Sequence, residues 1–505
     1  MSWAAHLTIL PVLIPALAGP LALLAMLRRR VLAVGIGLAS LLSLLACALA
    51  LLAEAGDGTI RSYALGSWPA PFGIVLVADR LAAMMLVLTA VLALIAFSHA
   101  VLTRADRKGW HFHPLFQFQL MGLNGAFLTG DLFNLFVFFE VLLIASYGLM
   151  LHGQGAGRLK AGVQYVVVNL VGSSLFLIAL GILYALTGTL NMADMGLRVA
   201  AVPAADQGLL RIGGLLLVSV FALKAAVAPL HLWLMRTYAV STPAVAALFA
   251  IMTKVGVYSL IRVVPQVFGE GAGAAAWVPA PFLLPAALAS AVIGFAGVFV
   301  ARSMAEQAAY AVIGSTGTLM IAVAGWSAES LGAALYYLVH STLAAAALFL
   351  VADVAARRRG SFGDAASPGP AFAGRGTVAL MFMAAAIAAS GLPPLSGFIG
   401  KLLILKSVAV LPDWGWAWGV ILCTTFLGVV GFARVGSAVF WKSADCEVPP
   451  APATRHDLAA PAIALALLAA WSVGAGWASG YAGAAAAQVL DPAQSVRAVL
   501  KDAVS

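Results

Sequence analysis

The sequence predicts an all-α polytopic membrane protein of about fourteen transmembrane helices, and three observations carry that prediction. Of 505 residues, 63% are hydrophobic and 9% charged, where soluble domains carry roughly 25% charged residues. Apolar runs recur from end to end, many of them near the roughly 20 residues that a helix needs to cross about 30 Å of hydrocarbon. Basic residues gather in every other connection between those runs, which is a topology signal.

Reading apolar runs against breakers and charges places helices at 7–27, 31–53, 80–103, 113–130, 131–151, 161–187 and 208–235. The series continues at 241–265, 278–300, 306–325, 329–353, 376–408, 415–440 and 459–481. The first run has no basic segment before it and Arg28, Arg29 and Arg30 after it, so it reads as a membrane helix and not as a cleaved signal peptide. Residues 56–79 mix Gly, Pro and alternating apolar residues, the pattern of a small extracellular hairpin. The stretch from Asp491 to Val504 reads as a short amphipathic helix on the membrane surface. The chain then divides into helices 1 to 3 with the hairpin (1–112), two blocks of five helices (113–265 and 278–440), and a last helix with its amphipathic tail (459–505).

The basic connections hold Arg28 to Arg30; Arg104, Arg107 and Lys108; Arg158 and Lys160; Arg236; Arg302; Arg357 to Arg359 with Arg375; and Lys442 with Arg455. They are expected to face the cytoplasm, which puts both termini outside. Because the net charge of +9 sits in these short loops, it implies orientation and no nucleic-acid partner. Cys47, Cys423 and Cys446 are far apart, form no CxxC pair and have no acidic or His cluster beside them. No disulfide framework, metal site or cofactor is expected.

Charged side chains inside spanning helices cost roughly 2.5 to 3.5 kcal/mol even on the lenient insertion scale, so each asks for a reason. Glu140 lies about nine residues into its helix, or roughly 14 Å, which is mid-membrane. Lys224 and Lys254 lie on consecutive helices joined by a turn near residues 236–241, and their midpoint, 239, falls in that turn. Straight helices would set both about 22 Å from the turn, at matching depth, able to form a lateral pair. Lys401 follows ASGLPPLSGFIG, where Pro393 and Pro394 remove amide donors and predict a broken helix. Irregular backbone at that depth is tolerated only against protein or a water-filled cavity, and commonly marks ion sites. Lys224, followed by Ala228, Pro229 and Leu230, is a weaker copy of the arrangement and points to an internal repeat.

A single buried lysine is explained by snorkelling or a structural ion pair. Three lysines and a glutamate all near mid-depth are not. By residue type alone, His231 and His340 read as packing residues, Asp131 as a helix cap, and Asn124, Asn169 and Gln164 as interhelical hydrogen-bond partners. Desolvation penalises a lysine's charged form while a nearby carboxylate favours it. A row of this kind therefore predicts proton transfer: Glu140 holds Lys224 protonated, and loosening that contact lets the proton move through water toward Lys254 and Lys401.

Four segments resemble the motifs of a known family. They are GDLFNLFVFFEVLLIASYGLM around Glu140, FALKAAVAPLHLWL around Lys224, STPAVAALFAIMTKVGVYSLIR around Lys254, and SGLPPLSGFIGK ending at Lys401. The chain resembles, over nearly its whole length, the antiporter-like subunits shared by respiratory complex I and the Mrp (Pha, Mnh) cation/proton antiporters. The wording around Glu140 and Lys254 and the ending LDPAQSVRAVL are most similar to the D subunits of the Mrp group. That resemblance implies inverted five-helix repeats, proton-carrying roles for Glu140, Lys224, Lys254, His340 and Lys401, and a bacterial plasma membrane location. It also implies partner membrane subunits and exchange of external protons for internal Na⁺ or K⁺. Relatives commonly carry a lysine where HSTLAAAALFL has Ala344, so His340 is expected to link Lys254 to Lys401 alone. The segment LMRTY also lacks a proline frequent in the family.

Three rivals stay open at this point. The first is a proton-pumping subunit of complex I or a membrane-bound hydrogenase; the second is an assembly scaffold. The third, a membrane-embedded transferase, requires acidic or His-rich clusters in loops, and the sequence has none.

Overall fold

A computed structural model describes residues 6–442 and 455–500; Cys446 and the end of the amphipathic tail at 501–504 lie outside the described residues. The fold is helical throughout, apart from one small hairpin. Helices α1 (Leu10–Met26) and α2 (Arg30–Ala55) pack together and lead into strands β1 (Arg61–Ala64) and β2 (Val75–Ala78). The strands pair antiparallel with Arg61 opposite Ala78, inside the segment expected to form a hairpin. Then come α3 (Arg80–Leu102), α4 (Phe112–Leu128), α5 (Leu132–Met150), α6 (Ala156–Thr187) and the short α7 (Met192–Val199). Next are α8 (Gln207–Lys224), α9 (Leu234–Val240), α10 (Pro243–Phe249), α11 (Met252–Val267), α12 (Ala280–Val300), α13 (Met304–Val323) and α14 (Ala328–Arg358). The chain closes with α15 (Arg375–Ser390), α16 (Ser396–Val408), α17 (Trp414–Gly436), α18 (Ala459–Val473), α19 (Ala475–Val489) and α20 (Pro492–Val499).

Among the described residues, ten helical segments are long and apolar enough to cross a membrane, and α1 and α15 are shorter apolar helices. The count of fourteen spans therefore stays an expectation. Several predicted helices prove to be two. The predicted 208–235 helix stops at Lys224, because Ala226 takes a left-handed φ of 55° and Val227 N turns back to Ala222 O at 3.0 Å. The 241–265 helix is interrupted at Ala250 and Ile251, whose amides bond three residues back. The last helix divides at Gly474 and runs on to Val489, and α6 begins at Ala156, five residues early. The break foreseen at Pro393 and Pro394 separates α15 from α16.

The α10–α11 segment and α14 are buried along their whole apolar windows, as expected of helices that are hydrophobic all round. Around them, small residues let backbones touch. A Cβ on Gly294 of α12 would stand 2.1 Å from Gly314 N of α13, the close approach that drives association where lipid removes the hydrophobic difference. Asn124 is an interhelical partner as predicted. Pro15 has no N–H for the carbonyl four residues before it, and Asn124 Nδ2 donates to that oxygen, Pro11 O, at 2.8 Å. Gln164, given the same role, makes no such bond among the described residues, as its side chain is half-exposed on α6.

Alternate connections collect on two faces. On one, Leu76 bridges Thr129, Asp131 bridges Asn191, and Ser62 Oγ donates to Ala498 O at 2.8 Å, which seats α20 on the hairpin. There Arg262 grips the N-cap carboxylate of Asp79 with two hydrogen bonds. On the other face the basic loops meet. Arg30 pairs with Asp106 at 2.8 Å and Arg358 with Asp457 at 2.7 Å, and Arg158 Nε donates to Val240 O at 2.7 Å.

Candidate functional site

Asp131 caps α5 by accepting from Asn134 N at 2.8 Å, which fixes the start of the helix that carries Glu140. The next helix supplies the partners. Ser173 Oγ of α6 donates to Glu140 Oε1, and Asn169 Oδ1, one turn earlier, accepts from Lys224 Nζ at 3.0 Å. Lys224 is the last residue of α8 and is 7% exposed. Its ammonium lies 5.9 Å from the centre of the Phe139 ring. At this helix end the Leu223 carbonyl accepts from Ala226 N and also from a side chain, Trp233 Nε1, at 3.1 Å. The Ala228 amide in the broken stretch donates to Ser290 Oγ at 2.8 Å.

The elements that carry the two central lysines meet by a different route from the one predicted. The straight-helix ruler fails, because residues 225–233 and 250–251 are not α-helical. Instead, the missing side chain of Gly256 lets α11 abut the end of α8; a Cβ there would meet Ala225 N at 2.4 Å. A cavity of about 10 Å³, lined by Phe139, Asn169, Lys224, Trp233, Met252 and Val255, lies at this contact and has room for about one water. Lys254 is fully buried in the first turn of α11, and its Nζ donates to Thr253 Oγ1 at 3.3 Å. No hydrogen bond joins the two ammonium groups among the described residues.

His340 and Lys401 converge on the linker between α15 and α16. Lys401 Nζ donates to Ser390 O at 2.8 Å and to Thr425 Oγ1 at 2.7 Å, and lies 5.0 Å from the centre of the Phe295 ring. Ser390 ends α15, so the ammonium sits at the negative end of a half-helix. His340 Nδ1 pairs with Ser396 Oγ at 2.9 Å at the start of α16. Gly397 admits the ring, for a Cβ there would stand 2.8 Å from His340 Nε2. A second cavity of about 10 Å³ is bounded by Ser315, Tyr337, His340, Ser341, Ala344 and Ala389. His231 falls in the broken stretch after α8 and joins none of these contacts.

The sequence-predicted residues therefore form three contacts: Glu140 with Lys224 through α6, Lys224 with the Lys254 turn through backbone packing, and His340 with Lys401 through one linker. Between Lys254 and His340, α11 packs on α14, with no side-chain hydrogen bond among the described residues. Asn169 is an interhelical partner as predicted, with Lys224 the group it bonds; the hydroxyl partners Ser173, Ser396 and Thr425 are not among the predicted residues. In apolar helices such groups commonly bond their own preceding turn, as Ser259 does with Val255 O, and sequence does not separate the two uses. Ammonium, carboxylate and imidazole groups spaced by hydroxyls and single-water cavities can pass protons. Among the described residues no group of three His, Cys, Asp or Glu side chains is placed to hold a metal.

A family model described as "NADH:quinone oxidoreductase/Mrp antiporter, TM" matches residues 129–428, well over half of the chain. The chain belongs to this antiporter-like family. All five candidate residues fall inside the matched span, and α1 to α4 and α18 to α20 lie outside it. Among members of the family, the chain is 41% identical to the probable D subunit of a K⁺/H⁺ antiporter from Rhizobium meliloti, covering 88% of this chain and 89% of that one. It is 34% identical to the D subunit of a Na⁺/H⁺ antiporter from Bacillus subtilis over the same shares. A chain in the solved Mrp complex of Dietzia superposes with a TM-score of 0.86 at 28% identity, covering 99% of this chain and 100% of that one. A chain of respiratory complex I from Thermus thermophilus shares the fold, with a TM-score of 0.77 at 23% identity, covering 96% and 99%.

Proposed function

We propose that this chain is the D-type, proton-translocating subunit of a multi-subunit secondary Na⁺(K⁺)/H⁺ antiporter in a bacterial plasma membrane. As a transporter subunit it is not an enzyme. Its protons move through Glu140, Lys224, Lys254, His340 and Lys401, and other membrane subunits complete the complex. Cation exchange is supported by the 41% identity to the probable K⁺/H⁺ antiporter relative across 88% of the chain. The observation that carries the relay is the burial of three lysines, at 7%, 0% and 4% exposure, none with a direct carboxylate partner among the described residues. A structural role gives no return for that desolvation.

In this reading the face of basic loops is cytoplasmic and the hairpin face is outside with both termini, in line with the positive-inside rule. Blocks 113–265 and 278–440 are the two repeats, each with a broken helix at its lysine. The test follows Na⁺- and K⁺-dependent proton movement in vesicles containing the complete complex, with and without Lys224→Ala. A cation-dependent proton flux that Lys224→Ala abolishes at unchanged expression is expected. Absence of any cation response would replace this reading with the redox-driven pump, and full transport by Lys224→Ala would remove the relay.

A further inference from the structure

Glu140 and Lys224 are both held by one face of α6. Asn169 and Ser173 are four residues apart, so their side chains are neighbours roughly 5 to 6 Å apart along the helix. Ser173 Oγ donates to Glu140 Oε1, and Asn169 Oδ1 accepts from Lys224 Nζ at 3.0 Å. The amide's orientation is fixed, because Asn169 Nδ2 donates to Tyr165 O at 2.8 Å and leaves only the oxygen for the lysine. Tyr165 is anchored in turn: its hydroxyl pairs with Ser146 Oγ at 2.8 Å, and its ring stacks on Trp233 at 5.4 Å. Trp233 bonds Leu223 O, the residue before Lys224. The carboxylate and the ammonium thus each end on a neutral group of the same helix.

The chemistry of those neutral groups matters. A carboxylate favours the charged form of a lysine, whereas an amide oxygen accepts a hydrogen bond from –NH₃⁺ or –NH₂ alike. Lys224 bonded to Asn169 can therefore give its proton to water in the adjoining cavity and keep its hydrogen bond as an amine. Lys224 closed on Glu140 would hold the proton.

We propose that Asn169 and Ser173 are positioning residues that hold Glu140 and Lys224 apart, and so keep Lys224 able to release its proton. The inference rests on the relay proposed above. It is tested in the complete complex by recording cation-driven proton flux against pH for Asn169→Leu, Ser173→Ala, Ser173→Thr and Lys224→Ala. Removing either holder lets the ion pair close, so Asn169→Leu and Ser173→Ala should both move the half-maximal pH upward, by about one unit. Ser173→Thr, which keeps the hydroxyl, should stay at the parental value. Should Asn169→Leu fail to assemble, Ser173→Ala carries the test alone. Unshifted profiles, or a Ser173→Thr profile equal to that of Ser173→Ala, overturn the inference while an inactive Lys224→Ala leaves the relay standing. Parental transport by Lys224→Ala overturns the relay and this inference with it.

Discussion

Ala226 and Gly391 occupy the same position in two helix-ending turns with one hydrogen-bond pattern. Val227 N bonds Ala222 O and Ala226 N bonds Leu223 O in the first; Leu392 N bonds Ile387 O and Gly391 N bonds Ala388 O in the second. These are the paired bonds of a Schellman turn, which needs a left-handed residue, and the two residues have φ of 55° and 74°. Alanine in that conformation costs about 1 to 2 kcal/mol, while deleting its buried methyl loses about 0.8 kcal/mol. Ala226→Gly should therefore change the thermal stability of the complex little. Gly391→Ala adds strain and a Cβ 2.6 Å from Lys401 Cδ, and should destabilise by about 2 kcal/mol or more. A thermal melt of the two variants in detergent decides it, and equal losses would refute the shared turn.

Lys401 holds two acceptors, Ser390 O and Thr425 Oγ1. A hydrogen bond to a charged group is worth about 1.5 to 3 kcal/mol, so Thr425→Val should alter proton flux by about tenfold or more with the complex still assembled. Lys401→Met should stop transport. Flux in Thr425→Val equal to the parent would exclude Thr425 as a working acceptor.

Ala344→Lys would introduce the lysine that the resemblance leads one to expect here, yet the cavity beside it holds only about 10 Å³. The longer side chain must displace Ser315 or Tyr337, an overpacking cost of about 1 to 3 kcal/mol. Lower melting temperature and reduced transport are expected, and a variant as stable and active as the parent would contradict the packing described.

On the face of basic loops, His152 Nε2 donates to Ala105 O at 2.9 Å. Burial pushes its imidazole below the ordinary histidine value of 6.5, a shift that the Ala105 bond and Asp106 oppose and Arg158 and Lys108 reinforce. The unfolded chain therefore takes up the proton first as pH falls, and the stability tied to neutral His152 is full above that value and declines below it. Melting temperatures taken from about pH 8 to about pH 5 should fall less steeply on the acid side for His152→Gln. Parallel curves would show that His152 does not contribute.

The sequence by itself determined the membrane fold, the alternation of basic connections, the four charges Glu140, Lys224, Lys254 and Lys401 set among apolar runs, and the break at Pro393 and Pro394. Each of these follows from local chemistry: hydrocarbon excludes charge, and proline lacks an amide proton. Only the tertiary structure decided the break after Lys224, where an ordinary alanine takes the left-handed turn, and the split at Ala250. It alone brought α6 between Glu140 and Lys224, set His340 on Ser396, and replaced the straight-helix ruler with the seating of Gly256 on Ala225. Those outcomes depend on which helices meet, because a serine or an asparagine in an apolar helix can bond its own preceding turn, a group on a neighbouring helix, or both.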